Sequence, residues 1–94
     1  MEKFYVITKK YVWNGMTFNR SHRNIKDLEK ANRVFDKELA QLKKENSDML
    51  ADNENYVIQK GNRKGNRYFE CYYYYKHQPE VSSFSIKMHT EKME

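Results

Sequence analysis

Four cations, Lys60, Arg63, Lys64 and Arg67, stand within eight residues in the doubled tetrapeptide KGNRKGNR, and the chain then passes straight into YFECYYYYKH. Cations at this density supply charge-assisted contacts to phosphate oxygens, with Arg offering a planar fork. Aromatic rings beside them supply stacking for unpaired bases. Gly61 and Gly65 are expected to let a hairpin tip turn through positive φ, and Asn62 and Asn66 tolerate the same region. The competing use is solubility, because charges beside an aromatic strand block edge-to-edge association. Alternation along the aromatic run assigns Phe69, Cys71, Tyr73 and Tyr75 to one face and Tyr68, Glu70, Tyr72 and Tyr74 to the other. Phe69 and Cys71 are the more buriable neighbours, so Tyr68, Tyr72 and Tyr74 form the candidate stacking set. Glu70 among them works against a surface made for phosphate alone.

A second cluster comprises Lys9, Lys10 and Arg20. Asn14-Gly15 lies between two strand-like runs in YVWNGMTF, a pair suited to a two-residue turn. That turn sets Trp13 opposite Met16, Tyr11 opposite Phe18, Lys9 opposite Arg20 and Ile7 opposite His22. Lys9 and Arg20 then repel unless they splay to solvent or share an anion, and splaying to solvent is the expectation. One face of this hairpin carries Tyr5, Ile7, Tyr11, Trp13, Met16 and Phe18, an apolar set that wants a helix over it. The other carries Thr8, Lys10, Thr17, Asn19 and Ser21.

Catalytic chemistry has less to stand on. His22, His77 and His89 show no metal-ligand spacing, and no glycine pattern matches a nucleotide-binding loop. No metal, cofactor or small-molecule substrate is expected. Cys71, in mid-strand among tyrosines, reads as a small core residue. The remaining enzymatic option is a small ribonuclease working with Arg67, Tyr75 and His77. Bacterial RelE-type toxins are similar in size, charge and C-terminal strands, but this chain opens with a hairpin and offers one long helix in place of a helical pair.

The 94 residues carry 18 Lys and Arg against 13 Asp and Glu, a formal +5, which favours nucleic acid, a nucleoprotein or an acidic protein surface as partner. Hydrophobic residues make up only 38% of the chain, so its 15% aromatic residues must supply most of the core. The lone Cys71 excludes an intrachain disulfide and predicts a reducing compartment. MEKFYVITKK lacks the apolar run of a signal peptide, and no stretch is long and apolar enough for a membrane span, so a cytoplasmic location is expected.

These residues must be positioned by few elements. Asn24 reads as an N-cap, and Ile25, Leu28, Ala31, Phe35, Leu39 and Leu42 recur at helical spacing to about Asn46. The helix end, through SDMLADNEN, is left open. The same stripe also suits self-association, with a homodimer as its product. Beyond Asn55 the period becomes two, giving strands in YVIQK, RYFECYYYYK and VSSFSIKM, joined by GNRKGN and HQPE. In the last, Phe84, Ile86 and Met88 share a face, with Ser83, Ser85 and Lys87 on the other. The reading is one α+β domain over residues 1–88, order β-β-α-β-β-β, two layers, with a disordered tail over 89–94.

A hairpin, FYVITKKYVWNGMTF, then a lone helix, DLEKANRVFDKELAQL, then a short antiparallel sheet resembles small accessory proteins of phages and mobile elements, anti-CRISPR proteins among them. The resemblance covers nearly the whole chain in architecture and composition. It implies a non-enzymatic inhibitor that docks on a bacterial nucleoprotein effector in the host cytoplasm. For a basic chain it implies contact with an acidic protein patch, guide RNA or target DNA. A free-standing DNA- or RNA-binding protein is the alternative, and a ribonuclease toxin stands behind both.

Overall fold

A computed structural model describes residues 3–13, 15–51, 56–73 and 82–92. Among these residues, five strands and two helices follow in the order β1 (Lys3–Trp13), β2 (Met16–Ile25), α1 (Leu28–Glu45), α2 (Ser47–Ala51), β3 (Tyr56–Arg63), β4 (Asn66–Tyr73) and β5 (Ser82–Lys92). The strands form one antiparallel sheet in the order β2-β1-β5-β4-β3, and α1 lies against one face, an α+β fold of two layers.

The first hairpin has the expected register, with Trp13 opposite Met16, Tyr11 opposite Phe18, Lys9 opposite Arg20 and Ile7 opposite His22. Gly15 adopts φ +79°, a conformation that suits a residue without a Cβ. The chain then carries α1 from one edge of the sheet to the other, since β2 and β3 are the two edge strands. β5 returns to the middle and pairs with β1 on one side and β4 on the other. Its inward residues Phe84, Ile86 and Met88 are at most 2% exposed, which is what a central strand under a helix requires. With Ile7, Phe69 and Cys71 they meet Ala31, Phe35 and Leu42 of α1 in one core.

Several boundaries move. The N-cap is Asp27 and not Asn24: the Asp27 carboxylate accepts from the Glu29 backbone N–H at 3.2 Å, while β2 pairing continues to Ile25. The segment after Glu45 forms a second short helix, Ser47–Ala51. β5 runs to Lys92, paired with Lys3, so the fold extends past the expected limit at residue 88, and residues 89–92 are strand and not tail. Pairing with β1 satisfies their backbone groups. The loop expected over GNRKGN shrinks to Lys64-Gly65, because β3 and β4 stay paired to Arg63 and Asn66. The HQPE connection and the tip residue Asn14 lie outside the described residues.

The helix does not cover all of the hairpin's apolar face. Tyr5 and Tyr11 pack on the core, but Trp13, Met16 and Phe18 remain 65%, 61% and 54% exposed. Trp13 and Met16 flank the turn, and Phe18 lies on the edge strand β2.

Candidate functional site

Strand alternation decides where each candidate side chain goes, and it splits the doubled tetrapeptide. Lys60 and Asn62 project to the helix side of the edge strand, whereas Gly61 and Arg63 project to the uncovered side. Lys64 stands in the turn, and Arg67 returns to the helix side on β4. No single basic finger forms.

Arg67 is a fold residue. Its guanidinium lies 4.3 Å from the centroid of the Phe35 ring. Nη2 donates to Asp36 Oδ1 at 2.8 Å and Nη1 to Asn32 Oδ1 at 3.3 Å, both on α1. These contacts commit its guanidinium to α1 and the Phe35 ring; Tyr75 and His77, named with it as a nuclease trio, lie outside the described residues. Lys9 is corrected in the same way. Facing Arg20, it does not splay to solvent but is buried under α1, with Nζ 2.5 Å from Glu38 Oε2. A buried ammonium requires such a partner. Lys10 and Arg20 remain exposed, Lys10 on the open face and Arg20 on the helix side.

The glycines also divide. Gly65 turns with φ +76°, is buried, and accepts a hydrogen bond from Thr90 Oγ1 at 3.0 Å through its carbonyl. Gly61 instead makes room within a strand. A Cβ there would collide with the ring of Tyr68, its partner on β4, so the absent side chain lets that ring settle against the β3 backbone.

The face turned away from α1 therefore gathers the expected aromatic residues with groups from distant parts of the chain, although Val6 and Val12 on the β1 part of it are buried. Tyr68 is 40% exposed, Tyr72 is half-buried, and both lie on the same side of β4. Tyr74 lies outside the described residues. A shallow trough of about 400 Å³ runs past Gln59, Asn66, Tyr68, Glu70, Lys87 and His89. A second, of about 230 Å³, continues past Lys10, Glu70, Tyr72, Ser83, Ser85 and Lys87. The two share Glu70 and Lys87, whose side chains pair at 3.1 Å. Lys87 thus offsets the carboxylate that weighed against anion binding on this face. With Lys87 and Glu70 offsetting each other, Lys10 at the trough and Arg63 on the neighbouring edge strand leave this side with positive charge near its rings.

Lys87 and the serines were legible as outward-facing, but their place in the site was not. It follows from β5 lying between β1 and β4, which sets Lys10 opposite Ser85 and Tyr68 opposite Lys87.

On the helix side, burial and pairing shift three groups. Burial pushes the Cys71 thiol up to about 11, so at neutral pH it is the neutral, poorly nucleophilic form. Tyr11 is raised to about 12, first by burial and then by its hydrogen bond to Glu45. Glu45 is lowered by the same bond and by Gln41 Nε2, which donates to it at 2.8 Å. Among the described residues, no three metal-ligating side chains come together. No protein-family model, no curated protein and no solved structure matches the chain.

Proposed function

We propose that this protein is a non-enzymatic binding module that takes a single nucleic-acid strand along the open face of its sheet. The observation that carries this reading is the sheet face turned away from α1, with Tyr68 and Tyr72 on one side of β4 and Lys10, Arg63 and Lys87 around them; Val6 and Val12 of β1, on the same face, are buried and mark where it is not open. Unpaired bases stack on rings held by a rigid sheet, and lysines beside them neutralise the backbone. Gly61 supports the reading because it seats the Tyr68 ring against the strand instead of leaving it free to swing. A duplex suits this face poorly, since its bases are already stacked on each other.

The test is fluorescence anisotropy with labelled single-stranded DNA and RNA at two salt concentrations. Wild-type binding should weaken as salt rises. Tyr68→Ala and Tyr72→Ala should each cost about 1–3 kcal/mol of stacking, roughly a 5- to 150-fold loss. Absence of strand binding at low salt by the folded protein would refute the proposal.

One observation favours a second reading, docking on a bacterial nucleoprotein machine as an anti-CRISPR-type inhibitor. Trp13, Met16 and Phe18 are exposed together at the hairpin end, and large apolar residues of this kind anchor protein interfaces. Under that reading, expression of the chain abolishes CRISPR interference against a targeted plasmid, and Trp13→Ser/Phe18→Ser restores it. Interference that persists in the presence of the wild-type chain would rule the reading out.

A further inference from the structure

On the opposite side of the molecule, the charges of α1 are sorted by sign. The carboxylates of Asp36 and Glu38 turn toward the sheet, where they pair with Arg67 and Lys9, and Glu45 takes the hydroxyl of Tyr11. Of the cations, Lys43 also turns inward, with Nζ 4.9 Å from the centroid of the Phe69 ring, but four others turn away. At 3.6 residues per turn, Lys30, Arg33, Lys37 and Lys44 fall within an arc of about 60°, roughly 150° around the helix from Ala31, Phe35 and Leu42. All four are exposed, and none makes an ion pair among the described residues. No carboxylate falls within that arc; Gln41 and Ala40 flank it by about 20° on either side, and Glu29 lies about 40° beyond Arg33.

A face made for solubility alone would alternate signs, because Glu–Lys neighbours at i,i+4 support a helix. This stripe sets Arg33 three residues after Lys30 and four before Lys37, like-charge neighbours that weaken it. An anionic ligand would turn this repulsion into binding. From Lys30 to Lys44 the array is about 21 Å long, about six base-pair rises along the axis of a duplex at 3.4 Å each.

We infer that the outward face of α1 holds the phosphate backbone of a nucleic-acid duplex, giving the protein a second nucleic-acid surface behind the first. The alternatives fit less well. A membrane-surface helix needs a free apolar face, and here that face is the core of the domain. A protein interface needs an apolar or aromatic centre, and the arc holds only Lys and Arg, with Gln41 and Ala40 at its borders. A duplex backbone asks for a line of charge and nothing more. Because the stripe and the trough share no residue, this inference stands or falls separately from strand binding on the sheet.

The experiment measures binding of the full chain to a labelled random-sequence DNA duplex over a range of salt concentrations. Two double variants of equal charge loss are compared, Arg33→Gln/Lys37→Gln on the stripe and Lys3→Gln/Lys92→Gln at the far end of the sheet, each shown to be folded by circular dichroism. Removal of two phosphate contacts should make the slope of log K against log salt shallower by about 1.8 and weaken binding at 0.1 M salt on the order of 10- to 100-fold. The Lys3/Lys92 variant should change neither quantity by more than a small fraction of this, and Tyr68→Ala/Tyr72→Ala should keep duplex affinity while losing single strands. Equal weakening by the two charge variants would overturn the inference, since net charge alone would then explain binding. So would absence of duplex binding at low salt, or a stripe variant that loses binding to phosphatidylserine vesicles while keeping the duplex.

Discussion

Replacing Arg67 by Ala should destabilise the fold, whereas Arg63→Ala and Lys64→Ala should not, although all three belong to one doubled motif. The Arg67 side chain is 17% exposed and its partner Asp36 is 62% exposed. That exposure puts the ion pair in the weak surface class, about 0.2–1 kcal/mol. The cation over the largely desolvated Phe35 ring adds about 1–2 kcal/mol. The 3.3 Å bond to Asn32 adds about 0.5 kcal/mol at most. Packing of the buried aliphatic stem adds about 1–2 kcal/mol. Against these, Nε is buried with no hydrogen-bond partner among the described residues, and its removal relieves a penalty of about 1 kcal/mol. The net loss is about 3 kcal/mol, and for a domain of this size Tm should fall by roughly 12–24 °C. Thermal unfolding followed by circular dichroism measures it. Arg67→Met, which keeps the stem, should fall in between. A Tm within about 2 °C of wild type in Arg67→Ala would refute the clamp. If strand affinity then fell as it does in Arg63→Ala, Arg67 would belong to the binding surface after all.

The two turn glycines give a paired test. Gly15→Ala meets open space and carries only the cost of a left-handed backbone, about 1–2 kcal/mol; Gly65→Ala carries that cost and also collides with Thr90 Oγ1, so its Tm should drop further. Equal drops would show that the Gly65 packing is unimportant. Gly61→Ala should change Tm little, because Ala suits a strand better than Gly, yet it should weaken single-strand binding by displacing the Tyr68 ring; unchanged affinity would separate ring placement from binding. Tyr11→Phe should raise the Glu45 pKa toward its ordinary value, as read by NMR titration. The folded-state value is depressed, so the bond stabilises the wild type above the ordinary carboxylate range and this support fades as pH falls through the folded value. A Glu45 titration unmoved by the substitution would mean the bond does not form. Cys71, neutral and buried, should resist iodoacetamide at pH 8 until denaturant is added; rapid native-state labelling would contradict its burial.

Much of the fold was readable because its signals are local. Asn14-Gly15 fixed a hairpin register that the coordinates reproduce pair by pair, and the spacing from Leu28 to Leu42 marked the buried side of α1. Alternation correctly separated Phe69 and Cys71 from Tyr68 and Tyr72. The site was harder to read because charge in a sequence carries no direction. Four cations in eight residues suggested one patch, but the strand period turned them to different sides and the helix claimed Arg67. Lys9 shows the same limit: its cross-strand neighbour Arg20 was foreseeable, while Glu38, 29 residues away, was not.

The sequence by itself determined the element types, the hairpin, the α+β class and the residues available for a core, since each depends on neighbours within a turn or a strand. Only the tertiary structure decided that β5 inserts between β1 and β4, and hence that Lys10, Tyr72, Ser85 and Lys87 border one trough. It also decided which charges are spent inside the fold and which remain outside. Pairing order and ion-pair partners are set by burying one shared core, and no local spacing along the chain encodes that requirement.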